Sequence, residues 1–190
     1  MPAPLMQKNE VLDRLLATLR DRGYDGASLA ELAAAAGLGT SRLARLFPGG
    51  KEDIARQVLQ HLEERLERAA FAPLRSKQPP ARKLTALLAA IDDVYDGGRS
   101  ASLLERMSAS AGRLAFRGAL GHAYGVWLDA LEALCIEAGL PKRIARARAE
   151  DFVLRIEGAL VVASATGDPT FFARTLEAMR TSLLGPRADG

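Results

Sequence analysis

Residues 28–51 read SLAELAAAAGLGTSRLARLFPGGK, and this stretch decides the fold. Ser28 begins a short helix as its N-cap residue, and Glu31 completes a capping box three residues later. Gly37 supplies the positive φ angle that ends this helix. A second short helix follows over Thr40–Leu46, and the sequence FPGGK closes it. Two short helices joined by a glycine turn predict a helix-turn-helix.

A helix of two turns is unstable alone, so the second helix of this pair needs neighbours that hold it. Apolar residues between Val11 and Leu19 recur at the spacing of one helix face and predict a preceding helix. We expect residues 1–50 to form a three-helix module. Its inward-facing residues are expected to include Leu29, Leu43, Leu46 and Phe47.

The remainder of the chain, residues 51–190, continues the helical pattern. Many Ala and Leu residues and an aromatic content of only 5% favour helix over sheet. Breaks rich in Pro and Gly divide this part into amphipathic segments, and the first of them starts at Lys51 and is long. We therefore predict an all-α protein of about nine helices, with a helix-turn-helix domain at 1–50 and a helical bundle at 51–190.

The second helix of the motif carries groups that suit DNA. Thr40, Ser41 and Arg42 lie near its start, the part of such a helix that reaches deepest into the major groove. Arg42 can bond a guanine edge at two atoms, and Arg45, one turn along, can reach a base or a phosphate. Ser28 and Lys51 lie at helix N-termini, which suit phosphate. Two isolated arginines are more often ordinary solvated charges, but the complete motif favours DNA binding.

The charge and the termini limit the possible partners. A formal net charge of +3 permits a nucleic-acid partner without requiring one. The start of the chain lacks the apolar core of a secretory signal, and no run approaches the ~18–20 apolar residues of a membrane span. We expect a cytoplasmic protein without a membrane partner.

Motifs for catalysis and metal binding are missing from the sequence. It contains no P-loop and no dinucleotide glycine fingerprint. His61 and His122 lack the Glu-x-x-His spacing of helical di-metal sites. Cys135 is the single cysteine, so it forms no intrachain disulfide and no cysteine metal cluster, and we expect it to be a small buried residue. We expect no enzyme activity, no cofactor and no metal.

At GLGTSRLARLFPGGK the sequence resembles the TetR family of bacterial transcriptional repressors. The resemblance is strong over residues 9–55, where a leading helix ending in a Gly-Tyr turn and the capped ELAAAAG helix precede that segment. The FPGGK form, with YDGGRSASLLERMS and ATGD further along, also resembles the branch that includes the LmrA and YxaF repressors. The resemblance implies a homodimer with an N-terminal DNA-binding module and a C-terminal ligand-binding bundle.

Three positions depart from the family pattern. Gly39 stands at the start of the recognition helix, where relatives often carry Ser and where a DNA contact is implied. Ala44 and Arg45 stand where relatives commonly have an aromatic residue followed by a polar one. Because the aromatic residue usually meets the phosphate backbone, we expect Arg45 to supply that contact as a charge. The affinity for DNA should then fall steeply with salt.

The eighth predicted helix runs from Pro141 to Gly167, and the ninth begins at Asp168 and Pro169. Both fit a dimer interface, because small residues permit close helix approach and larger apolar residues add area. The alternative is that these residues only complete the core of each subunit. The residues predicted for the interface are Gly158, Leu160, Val162, Ala163, Phe172 and Leu176.

The family resemblance implies a pocket for a small-molecule effector among the fourth to eighth predicted helices. Aromatic and Met side chains suit an adaptable apolar pocket, although each is more often an ordinary core residue. The candidates by residue type are Leu104, Met107, Phe116, Tyr124, Trp127, Phe152 and Ile156.

We interpret the chain as a ligand-responsive DNA-binding regulator, a repressor released from a double-stranded operator by a small molecule. Two other interpretations remain. One is a helical small-molecule carrier or sensor without DNA binding, since nothing in the second half requires DNA. The other is a protein with the same motif that activates transcription.

Overall fold

A computed structural model describes residues 8–185, and within that range it contains nine α-helices and no strand. The all-α prediction is therefore confirmed for the described residues. The helices are α1 Lys8–Gly26, α2 Leu29–Ala35, α3 Thr40–Leu46, α4 Gly50–Leu66, α5 Pro80–Val94, α6 Leu103–Ser108, α7 Arg113–Glu137, α8 Lys142–Thr166 and α9 Thr170–Ser182.

The helices form two compact units. Among the described residues, the first contains residues 8–64 together with Leu103–Ala119, and the second contains Arg65–Ser102 and residues 120–185. Helices α4 and α7 therefore each contribute residues to both units. The predicted boundary between residues 50 and 51 separates a DNA-binding domain from a helical bundle by their function, and it stays a prediction.

In the first unit, the sequence signals of the helix-turn-helix produce the expected local structure. Gly23 has a φ of +72° and interrupts α1, and Gly37 has a φ of +67° after α2. Leu43 of α3 and Phe47 just after it are almost fully buried, as predicted. The segment α6 packs against α1, so the core of this unit also includes residues from the middle of the chain.

The prediction that Leu29 and Leu46 belong to the core is wrong. Leu29 and Leu46 are each 46% exposed. Leu29 is the first residue of α2, beside the cap. Leu46 lies off the narrow buried face that Leu43 and Phe47, four residues apart, define on a helix of two turns.

The second unit is a bundle of α5, the larger part of α7, α8 and α9. An edge-to-face contact between Tyr95 and Phe172, with ring centroids 5.9 Å apart, joins α9 to the residue that follows α5. Gly98, with a φ of +88°, approaches Phe172 so closely that an added Cβ would lie 2.5 Å from the Phe172 Cβ. The Lys83 amine of α5 is buried and donates to both carboxylate oxygens of Glu137 in α7, at 2.7 and 2.6 Å.

Candidate DNA-binding surface

Ser28 holds the start of α2. Its Oγ accepts a hydrogen bond from the Glu31 backbone N–H at 3.2 Å, and its own N–H donates to Glu31 Oε2 at 2.9 Å, as the capping box predicts. Arg22 of α1 donates to the other Glu31 oxygen at 2.7 Å. The hydrogen bonds from the Ser28 backbone and hydroxyl, aided by the Arg22 charge, lower the pKa of Glu31 below its ordinary value of 4.5. Ser28 thus fixes the Glu31 carboxylate, which in turn joins α2 to Arg22 of α1.

Helix α3 presents its polar residues to solvent. Thr40, Ser41, Arg42 and Arg45 are exposed, and Gly39 is the N-cap residue without a side-chain cap. Within residues 8–185, Arg42 and Arg45 have no carboxylate partner. No carboxylate in this range neutralises their guanidinium groups, so both positive charges are available to an anionic partner.

A cavity of about 360 Å³ lies beside α3, bounded by α2 on one side and by the start of α4 on the other. Ala44 forms part of its wall, with Thr40 and Ser41 of the same helix. Leu29 and Pro48 complete its apolar side. The short Ala44 side chain leaves this space unfilled at the position where the sequence departs from the family pattern.

Lys51 is engaged within the protein. Its Nζ lies 4.8 Å from the centroid of the Tyr24 ring and donates to the Asp25 carbonyl at 3.3 Å. Lys51 therefore connects the start of α4 to the C-terminal end of α1. A contact to phosphate, which we predict for this residue, would compete with these two interactions.

The C-terminal end of α1, after the interruption at Gly23, is fixed to the α6–α7 connection and to the start of α7. Asp25 Oδ2 accepts a hydrogen bond from the Ala111 backbone N–H at 2.7 Å. The Tyr24 ring packs edge-on against Phe116, with centroids 5.0 Å apart. Gly112 lies so close that an added Cβ would be 2.7 Å from Tyr24 Cε1. Burial, followed by the nearby charges of Glu52 and Asp25, raises the pKa of Tyr24.

Helix α4 contacts the start of α7 and also contacts α1. Arg56 donates to the Ala115 carbonyl at 3.0 Å, and its guanidinium lies 5.5 Å from the Phe116 ring centroid. His61 is buried, and its Nε2 lies 2.8 Å from Asp13 Oδ1 of α1. Helix α4 is thus held to both α7 and α1 within the first unit.

Sequence reasoning missed these roles of Tyr24, Asp25 and Arg56. It identified the Tyr-Asp-Gly sequence only as a turn. An aromatic residue and a carboxylate directly after a helix-ending glycine indicate that this segment packs against another part of the protein. The neighbouring sequence does not identify that part.

The residues predicted for the effector pocket divide between the two units. In the first unit, the structure buries Leu104, Met107 and Phe116. In the second unit, it buries Trp127, Phe152 and Ile156 and leaves Tyr124 partly exposed. None of the seven lines the cavity beside α3. Their role in effector binding stays a prediction.

The residues predicted for the dimer interface fall into two groups. Leu160, Ala163, Phe172 and Leu176 are buried within their own protomer. Gly158 and Val162 are exposed. Exposed apolar side chains nearby on α8 and α9 are Leu154, Val161, Val162 and Phe171, exposed by 72%, 43%, 39% and 37%.

Comparison with solved structures identifies the fold. The structure superimposes on a TetR transcriptional regulator from Legionella pneumophila with a TM-score of 0.81, at 16% sequence identity, over 93% of this chain and 97% of the other. A regulatory protein TetR from Rhodobacter sphaeroides gives 0.73 at 20% identity, over 90% and 95% of the two chains. A TetR-family regulator from Cytophaga hutchinsonii gives 0.73 at 18% identity, over 95% and 96%.

This chain therefore has the fold of TetR-type transcriptional regulators, with a helix-turn-helix near the N-terminus followed by a helical bundle. No protein-family model matches the sequence, and no curated protein matches it. No described helix has both the length and the apolar character needed to cross a membrane. Among residues 8–185, no group of three or more metal-binding side chains comes together.

Proposed function

We propose that this protein is a TetR-type DNA-binding regulator that represses transcription and is released from its operator by a small molecule. The observation that carries the proposal is the pair of exposed, uncompensated arginines on α3, Arg42 and Arg45, in a helix held by a TetR-type fold. The same fold supports a role in the cytoplasm and no enzyme activity. The FPGGK segment still favours the LmrA and YxaF branch.

In this function α3 enters the major groove of the operator. Arg42, in the first turn of α3, reads a base edge, and a bidentate contact to guanine contributes about 1–3 kcal/mol of discrimination. Arg45 contacts a base or a phosphate. Ser28, Gly39, Thr40, Ser41 and Lys51 complete the surface by positioning the helix on the backbone.

One module makes few phosphate contacts, so we propose that a homodimer binds two half-sites. The exposed residues Leu154, Val161 and Val162 on α8 and Phe171 on α9 supply an apolar surface for a second copy. Gly158 lies four residues after Leu154 and lets the partner helix approach. The recognition helices of the dimer would then lie about 34–36 Å apart, or a compatible multiple.

Release requires that the effector bind more tightly to a dimer that does not match the operator. Helix α4 is continuous over Gly50–Leu66 and belongs to both compact units, so it can carry a change from the bundle to the DNA module. The contact of Arg56 with the start of α7 and that of Asp25 with the α6–α7 connection provide a second route, through α1, which Arg22 joins to α2. Whether the bound protein represses or activates depends on the operator position.

The test is selection of genomic fragments by the purified protein, followed by affinity measurements over a range of salt concentrations. The variant Arg42→Ala with Arg45→Ala should bind the selected operator at least tenfold more weakly, with a salt slope reduced by about 1 for each lost phosphate contact. The matched control is Lys142→Ala with Arg143→Ala, which removes the same charge from two exposed residues of α8.

Equal losses in the two double variants would mean that only the overall charge matters, and would refute the assignment of α3. Failure to select any fragment, alongside tight binding of a small molecule, would favour the carrier interpretation.

A further inference from the structure

A second cavity, of about 350 Å³, lies within the second unit between α7 and the irregular segment that follows α4. This segment begins with a π-helical turn over Glu67–Phe71, in which the Ala72 N–H donates to the Glu67 carbonyl five residues earlier. A 3-10 turn over Ala72–Arg75 follows. Turns of the π type widen a helix and occur often at functional sites.

The cavity exists because the two walls differ in side-chain size. Phe71 and Leu74 form one apolar wall, and Leu134 belongs to the other. On α7 the remaining space faces Ala130 and Ala133, whose short side chains do not fill it. The volume is in the range of small-molecule sites, which hold about 300–1,000 Å³.

Carboxylates outnumber cations along the cavity. Its lining includes Glu67, Asp129 and Glu137 but only one basic residue, Arg75. Arg75 pairs with Glu67 on the same wall, and the buried Lys83 amine occupies both oxygens of Glu137.

Asp129 is the least compensated of the three. Its Oδ1 lies 3.4 Å from one nitrogen of Arg146, and that guanidinium also contacts Glu132 at 3.3 Å and Glu150 at 3.0 Å. One positive charge is thus shared among three carboxylates. The Asp129 side chain is 80% exposed, so the cavity combines an acidic group at the solvent with an apolar lining from Phe71, Leu74 and Leu134.

We propose that this cavity binds an amphipathic organic cation, with its apolar body against Phe71, Leu74 and Leu134 and its ammonium group at Asp129. Its identity as the effector site rests on the proposed regulatory function. The position differs from the set of residues predicted from sequence, although Trp127 of that set packs edge-on against Phe71, with centroids 5.5 Å apart.

Trp127 provides a direct measurement, because it is the only tryptophan of the chain and contacts a wall of the cavity. The probe is 4-phenylbutylamine, titrated into the full-length protein without DNA while the fluorescence of Trp127 is recorded. Its neutral and anionic counterparts are 4-phenylbutanol and 4-phenylbutyrate. We expect saturable binding, tightest for the amine and weakest for the carboxylate.

Two variants test the site. Asp129→Asn should lower the affinity for the amine about two- to fivefold, because an exposed ion pair contributes little more than this. The affinity for the alcohol should stay unchanged. Ala133→Leu should fill the cavity and abolish saturable binding of both. The matched controls are Asp92→Asn and Ala89→Leu, at exposed positions of α5, and both should bind as the unmodified protein does.

Equal affinities for amine and alcohol would refute the cationic class of ligand. Unchanged binding by Ala133→Leu, or no saturation with the amine, would refute the site. Operator binding is measured separately: a protein that binds operator but not the amine refutes this cavity alone. A protein that binds the amine but no DNA refutes the proposed function and leaves the binding site in place.

Discussion

Asp25 Oδ2 accepts a 2.7 Å hydrogen bond from the backbone N–H of Ala111, which lies 86 residues further along the chain. This bond joins the C-terminal end of α1, the helix that precedes the helix-turn-helix pair, to the connection between α6 and α7. The acceptor is the charged carboxylate of Asp25. The donor, the Ala111 N–H, lies between two helices and has no helical carbonyl to bond. The α6–α7 connection is therefore part of the structure that orients the DNA-binding helices.

The variant Asp25→Ala should lower the free energy of unfolding by about 1–2 kcal/mol, because the bond to a charged acceptor is lost from a partly exposed site. Urea denaturation measures the change. Asp21→Ala is the control, since it removes an 82% exposed carboxylate from the same helix. Equal stability of the two variants would contradict a structural role for the Asp25 bond.

Gly112→Ala should destabilise the protein by about 1–3 kcal/mol, because its Cβ would lie 2.7 Å from Tyr24 Cε1 and 3.3 Å from Phe116 Cε2. Gly118→Ala in α7 is the matched control, since nothing lies within 4 Å of its added Cβ. In the helix interior that change should stabilise by about 0.5–1 kcal/mol. Thermal unfolding of both variants gives the comparison, and shifts of the same sign would contradict the close packing at Gly112.

Glu31→Gln should change how stability depends on pH. The pKa of Glu31 is lowered in the folded protein, so its ionised form stabilises the fold above the unfolded pKa. This contribution is lost as the pH falls through the folded pKa. The stability difference between Glu31→Gln and the unmodified protein should therefore be largest near neutral pH and shrink in acid.

Urea denaturation at a series of pH values measures this difference. Glu177→Gln, at an exposed position of α9, serves as the control for removing one carboxylate. A difference for Glu31→Gln that stays constant into acid would be incompatible with the lowered pKa.

Leu154→Arg should convert the proposed dimer to a folded monomer, because it places a charge in the middle of the exposed apolar surface of α8. Sedimentation measures the change in mass, and circular dichroism verifies that the helices remain. The control is Leu114→Arg, which alters a leucine of similar exposure, 75% against 72%, at the start of α7. A dimer that survives Leu154→Arg would exclude this surface as the interface.

The local features of the helix-turn-helix were predictable from sequence because short-range rules determine them. The capping box of Ser28 and Glu31 and the positive φ at Gly37 each depend on residues within one turn. The exposure of Leu29 and Leu46 was not predictable in this way, because apolar residues at helix edges lie inside or outside depending on the neighbouring helices.

The rest of the candidate sites depended on contacts between distant residues. Nothing near Tyr24 in the sequence indicates Phe116 or Gly112 as its neighbours. Likewise, the cavity at Ala130 and Ala133 faces a π-helical turn that the composition of the sequence does not reveal. We predicted mainly large apolar and aromatic residues for the pocket because of their residue type. The cavity in the structure lies instead where the side chains of α7 are small.

The first compact unit is assembled from two stretches of chain, one up to Glu64 and one over Leu103–Ala119. During synthesis the ribosome releases the helix-turn-helix long before the segment that docks on Tyr24 and Asp25. Until Ala119 has emerged, the nascent DNA-binding module lacks part of its own support, and its long-range contacts slow completion of the fold. A fragment that ends after α4 would lack the contacts of this segment with Tyr24 and Asp25 permanently.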